Sequence, residues 1–162
     1  MNVPLITPEL VCLDADLGST KAEVITSVAG IIAAAGRADA DGLAHDALDR
    51  EAQSPTGMPG GFAIPHCRSA AVNQPSLGFA RLSPAVDFNG PDGPADLVFM
   101  IAAAEGAGAD HMKLLTKLAR ALVKPEFVEQ LRQAADAQTV VDLIESVVEP
   151  DAAAPSLSLI HI

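Results

Sequence analysis

Three apolar runs of strand length, Phe62 to His66, Leu77 to Leu82 and Leu97 to Ala102, occupy the middle of this 162-residue chain. Runs this short and continuous read as buried strands, so something must cover the sheet they build. The flanking sequence supplies the cover. Thr20 and Glu23 have the spacing of a capping box. Val24, Ile25, Val28, Ile31, Ile32 and Ala35 follow at helical spacing, and Gly36 is a stop. A second helix is expected from about Asp41 to about Glu51, with Leu43, Ala47 and Leu48 inward. Past the last run, Glu105 to Asp110 leads into a helix striped by Leu114, Leu115, Leu118, Leu122 and Val123. Pro125 begins another, carrying Phe127, Val128 and Leu131, and Val140, Val141, Leu143, Ile144 and Val147 mark the last. Leu5 to Leu13 reads as a strand with an edge or bulge at Thr7-Pro8. Ser54 to Gly61 reads as a loop, and Pro84 to Pro94 as turn-rich. The order predicts a single α/β domain over 1–149, a mixed β-sheet flanked by helices. Residues 150–162 read as a linker or tail, because Pro150 to Ser156 has linker composition and Leu157 to Ile162 has no assignable role.

Composition narrows the function. There is no Trp or Tyr and there are five Phe, so the core must be built from Ala, Val, Leu and Ile, and base stacking has little to work with. A net charge of −11 repels phosphate backbones and anionic membrane surfaces, so neither nucleic acid nor membrane is expected as a partner. Cys12 and Cys67 form no CxxC pair, which removes the usual zinc and redox motifs. The start, Met1-Asn2-Val3-Pro4, lacks a basic signal region, and the expected compartment is the cytoplasm.

The stretch Gly61-Phe62-Ala63-Ile64-Pro65-His66-Cys67-Arg68 places a histidine after a proline, where a strand is expected to end and a loop to begin. A histidine in that position is either a satisfied structural residue or a nucleophile with one ring nitrogen directed to solvent. A nucleophile that carries a phosphoryl group needs a partner to set its tautomer and donors for the phosphoryl oxygens. His111, at the start of a helix after a glycine-rich loop, is the candidate second residue, or else a cap of its own helix. Arg50-Glu51, just before the loop, are either solvated charges or, for Arg50, a guanidinium that stabilises a phosphoryl group or anchors the loop. Thr56 donates to a phosphate or stabilises a turn. Gly106-Ala107-Gly108 lacks the third glycine of a dinucleotide fingerprint and the Gly-Lys-Ser/Thr of a P-loop, so no nucleotide cofactor is expected. No metal is expected either, since His45 falls on an exposed helix face and His161 in the tail. Cys67 neighbours His66 in sequence, but adjacent residues on an extended segment point to opposite faces, which favours a buried, inert thiol.

Arg50-Glu51, Thr56-Gly57 and Gly61 to His66, followed by Asp96 to Ala103 and Glu105 to Leu115, resemble in order and spacing the enzyme IIA domains of the bacterial sugar phosphotransferase system, fructose–mannitol class. The resemblance covers roughly residues 3–148. It implies a mixed sheet flanked by helices and a phosphotransferase component with a phosphohistidine intermediate. His66 aligns with the phosphorylated histidine, usually modified on Nε2, His111 with a second active-site histidine that supports the phosphoryl group, and Arg50 with a site arginine. The implied donor is the carrier HPr. The implied acceptor is a cysteine of an enzyme IIB domain, in some relatives fused downstream with a IIC permease that phosphorylates the entering sugar, here expected to be fructose-like. Relatives often carry Gly or another small residue after the histidine, where this chain has Cys67. Two rival readings remain open: a regulatory IIA-like module, nitrogen-related or attached to a transcription regulator, and a cysteine hydrolase using Cys67.

Overall fold

Strand β6 (Ala95–Ala104) is the axis of the molecule, with its central residues Leu97 and Val98 to Ile101 fully buried. The computed structural model describes residues 5–91, 93–106 and 108–148, the side chains of 108–111 excepted. Beside β6 on one side runs β5 (Ser76–Val86), antiparallel, with Phe79 opposite Phe99. On the other side lie β3 (Phe62–Ala63) and β4 (His66–Ser69), both parallel to β6. β1 (Val11–Ala15) adds to β5 in parallel, and β2 (Gly57–Met58) adds to β3 antiparallel. The six-stranded sheet is therefore mixed, in the order β1-β5-β6-β3-β2 with β4 also on β6.

Helices cover both faces. α1 (Lys21–Ala34) begins with the capping box: Thr20 accepts from the Glu23 N–H, and the Glu23 carboxylate reaches back to the Thr20 N–H. Its apolar face presses on β5 at Gly78, where an added Cβ would stand 3.0 Å from Val28. α2 (Ala40–Gln53), capped by Asp39, packs on α1 and beside β4. Arg81, an odd number of residues from Gly78, points to the other face, and there it donates to the carbonyls of Leu131, Arg132 and Ala134. Those carbonyls end α4 (Pro125–Gln133), which packs with α3 (Gly108–Leu122) and α5 (Ala137–Val148). Phe99 meets Phe79 and Phe62 edge-on, at centroid distances of 5.2 and 6.2 Å, contacts that add about 0.5–1.5 kcal/mol each beyond burial.

The mixed sheet and the five helices agree with the sequence expectation, whereas several strand boundaries differ. Pro8–Leu10 is a 3-10 turn and the strand starts at Val11, because Pro8 cannot donate to a ladder and instead sits at the favourable first turn position. The expected loop Ser54–Gly61 contains β2. β5 runs on through Pro84 to Val86, into the segment Pro84 to Pro94 that was expected to be turn-rich. The expected strand Phe62–His66 is two strands, broken at Ile64-Pro65, and the second continues to Ser69.

Two glycines give opposite expectations. A Cβ on Gly57 would lie 2.4 Å from the Phe88 carbonyl oxygen and 2.6 Å from the Gly90 nitrogen, backbone atoms that cannot swing aside. Gly30, inside α1, has open space around it. Gly57→Ala should cost about 1–3 kcal/mol and Gly30→Ala should add about 0.4–1 kcal/mol, read as urea midpoints shifting in opposite directions.

Candidate active site

Proline sets up the position of His66. Pro65 fixes its own φ and has no N–H, so the ladder along β6 breaks before His66. Pro65 still accepts from the Ile101 N–H at 2.9 Å, and His66 then resumes pairing opposite Ile101. The imidazole is thus carried by the first residue of β4, not by the end of a strand as the sequence suggested. Ile64, on the other side of the proline, donates its N–H to the Thr56 carbonyl at 3.2 Å. Its own carbonyl accepts from His66 Nδ1 at 2.7 Å. A carbonyl can only accept, so the neutral ring is the Nδ1–H tautomer and Nε2 carries the lone pair.

The ring is half-buried, and its pKa is lowered from the ordinary histidine value. Burial is the main cause and the charge of Arg50 adds to it, against the raising effects of the Ile64 carbonyl and the Glu51 charge. His66 and Arg68 share one face of β4, while Cys67 and Ser69 point to the other and are buried. A cleft of about 630 Å³ opens at this edge of the sheet, between α2 and α3. Arg50 and Arg68 bring positive charge to it, Asp46, Asp49 and Glu105 negative charge, and Met112 and Leu115 an apolar wall.

The residues singled out in the sequence have definite places, His111 and His161 excepted. Arg50 lines the cleft and donates to the Ser54 carbonyl at 3.1 Å, so it anchors the loop that follows α2. Thr56 is buried and gives its hydroxyl to the Glu51 carboxylate at 2.7 Å, so it holds the loop and does not offer that hydrogen to the cleft. His111 lies in the first turn of α3, and its side chain is outside the described residues, as are His161 and all of residues 149–162. Cys67 is buried and its thiol is pushed up to about 11 by burial and the Asp46 charge, which makes it a poor nucleophile. Among the described residues the group that could gather a metal ion is His45, Asp46 and Asp49, on the exposed side of α2. His66 is not part of it.

Glu51 is the residue the sequence reading passed over. Sequence alone read it beside Arg50 as a solvated charge, but its side chain is 3% exposed and meets Thr56 N–H, Thr56 Oγ1 and Lys21. The available signal was its register: Leu43, Ala47 and Glu51 recur every four residues along α2, and all three are buried.

Comparison with known proteins follows the same outline. The family described as phosphoenolpyruvate-dependent sugar phosphotransferase system, EIIA 2, matches residues 4–147. The fructose-specific EIIA component of the phosphotransferase system of Haloferax volcanii is 38% identical over 151 residues, 91% of this chain and 97% of that protein. The fructose-specific EIIABC component of Bacillus subtilis is 39% identical over 126 residues, 76% of this chain but 20% of that longer protein. In structure, the nitrogen regulatory protein IIA-Ntr from Neisseria meningitidis superposes with a TM-score of 0.80 at 26% identity, covering 86% of this chain and 96% of that one.

The depressed histidine pKa has a measurable sign. Titration of the His66 ring by NMR should give a midpoint below 6.5, and Arg50→Gln should move it upward, since a cation that opposes protonation is removed. The same shift makes stability fall with acid. Below about 6.5 the unfolded ring takes a proton that the folded ring still resists, so this contribution is complete above that pH and lost as pH drops through the folded value.

Proposed function

The chain belongs to the EIIA 2 family of the phosphoenolpyruvate-dependent sugar phosphotransferase system, whose members are its phosphocarrier components, and we propose that His66 Nε2 is the atom that carries the phosphoryl group here. The observation that carries this reading is the hydrogen bond from Nδ1 to the Ile64 carbonyl, which puts the lone pair on Nε2. Lowered basicity keeps the ring neutral at pH 7, the form that attacks phosphorus.

The donor on this reading is the phosphohistidine of HPr. The Nε2 lone pair forms a bond to phosphorus as the N–P bond of HPr breaks, and the proton on His66 Nδ1 stays in place. In the second transfer a IIB cysteine thiolate attacks phosphorus, the Nε2–P bond breaks, and the neutral Nδ1–H ring returns. No proton, metal or nucleotide is consumed. On this reading Arg50 and Arg68 supply positive charge to the phosphoryl oxygens, and His111, in the first turn of α3, takes the role that the family resemblance implies, a second histidine that supports the phosphoryl group. Fructose is the sugar favoured, because the Haloferax and Bacillus relatives are named for it. The domain would act in the cytoplasm, where HPr delivers the group, and no described helix is long and apolar enough to cross a membrane.

The likeness to IIA-Ntr favours a second reading, in which the phosphorylation state of His66 controls a partner protein and no sugar moves. Transfer to a fructose-type IIB domain separates the two: a transport component passes the group on, whereas a regulator retains it.

Incubation with phosphoenolpyruvate, enzyme I and HPr should add one acid-labile phosphoryl group per chain, and His66→Ala should abolish it. Labelling of His66→Ala at the parent level would remove His66 as the acceptor.

A further inference from the structure

We infer that Glu51 is a positioning residue for the acceptor histidine: its buried carboxylate fixes Thr56, and through Thr56 and Ile64 the direction and tautomer of the His66 ring. The inference rests on the phosphocarrier reading of His66. Glu51 sits in the last turn of α2, and its two oxygens do two jobs on one residue. Oε2 accepts from the Thr56 N–H at 2.8 Å, and Oε1 accepts from the Thr56 hydroxyl at 2.7 Å. With both donors held, the Thr56 carbonyl has a fixed direction, and it takes the Ile64 N–H at 3.2 Å. The N–H and C=O of one residue in an extended segment point the same way, so this bond also aims the Ile64 carbonyl. That carbonyl receives His66 Nδ1 at 2.7 Å. Four residues therefore connect a helix end to the imidazole by consecutive hydrogen bonds, each of which sets the orientation of the next.

The anchor is held from the other side as well. Lys21, in the first turn of α1, stands 3.7 Å from Glu51 Oε2 and donates to Asn89 Oδ1 at 2.6 Å. Asn89 neighbours Gly90, against which Gly57 is packed, so both ends of the Thr56–Gly57 segment are tied to one group of side chains. A buried carboxylate is costly to desolvate, which makes it a poor device for stability alone. What it supplies here is direction, and a misplacement of about 1 Å at a reacting group can cost on the order of 100-fold in rate.

The experiment uses the intact chain with Glu51→Gln, Thr56→Val and Thr56→Ser. Glu51→Gln keeps the shape but can accept only one of the two Thr56 donors. Thr56→Val removes the hydroxyl at constant volume, and Thr56→Ser restores it. Two readouts are taken: the rate of phosphoryl transfer from phospho-HPr as its concentration is varied, and the ring ¹⁵N shifts of His66, which report the tautomer in the absence of HPr. The expected result for Glu51→Gln and Thr56→Val is a roughly 10- to 100-fold loss of maximal rate at nearly unchanged KM for phospho-HPr, with a mixture of Nδ1–H and Nε2–H tautomers. Thr56→Ser should recover most of the rate and the single tautomer. Folded Thr56→Val with parent-like ¹⁵N shifts and a rate within twofold of the parent would overturn the inference. So would a loss that Thr56→Ser fails to recover. Should Glu51→Gln not fold, the Thr56 pair decides alone. If the parent takes no phosphoryl group on His66, the phosphocarrier reading fails, while the ¹⁵N shifts still decide whether Glu51 and Thr56 set the ring.

Discussion

Strand β6 has to be paired along both edges, and the geometry of the cleft follows from how that is done. Its central residues are out of solvent, so each N–H and C=O must find a partner inside the protein. On one edge β5 meets the need over a long antiparallel ladder. On the other edge β3 and β4 share it in a single register, with Ile64 and Pro65 between them. Pro65 faces β6 and supplies a carbonyl to Ile101. Ile64 faces the other way, toward β2, which is two residues long. Its N–H still reaches Thr56, but its carbonyl lies beyond the end of β2, and the His66 ring supplies the donor a further strand residue would have given. The imidazole thus completes the sheet edge and acquires its tautomer through one hydrogen bond.

This arrangement explains why an acidic side chain is tolerated in the interior. β2 is too short to be stable by its own pairing, so the loop before it must be fixed by side chains. Glu51 does this by meeting both polar hydrogens of Thr56, and Lys21 offsets part of its charge. An apolar residue at that point of α2 would bury more favourably and would leave the Thr56 N–H without its partner. The fold keeps the costlier residue where backbone direction matters most.

The sequence revealed the sheet and its cover because those depend on local patterns. The capping box at Thr20-Glu23, the leucine stripe of α3 and the apolar runs of β5 and β6 each carry their own signal within one or two turns or a single strand. Strand boundaries near prolines were less legible, since Pro8 and Pro65 act through which backbone groups their neighbours must satisfy, and that depends on tertiary pairing. His66 and Arg50 stood out through a motif, so their company could be recognised before their geometry was known. Glu51 did not, because charge outweighed register: a glutamate at a helix end reads as solvated until Thr56, five residues on, folds back over it. Cys67 showed the converse, where the period of two along an extended segment sufficed to turn the thiol away from the face that His66 shares with Arg68.

The charge around the cleft fits a group that must be held briefly. Two arginines without counter-charge would bind a phosphoryl dianion firmly and slow its departure, because they would stabilise the carrier state as much as the transition state. Here Arg50 is partly committed to the Ser54 carbonyl, and Asp46, Asp49 and Glu105 line the same cleft. On the proposed phosphocarrier reading the acidic groups would lower the stability of a phosphorylated form, whereas the arginines would stabilise charge on oxygens in transit. Retention would favour a protein that signals by its modified state, and release favours a relay. On that reading, a cleft that mixes both signs around one histidine suits passing the group on, and that is our physical reason to propose transport ahead of regulation.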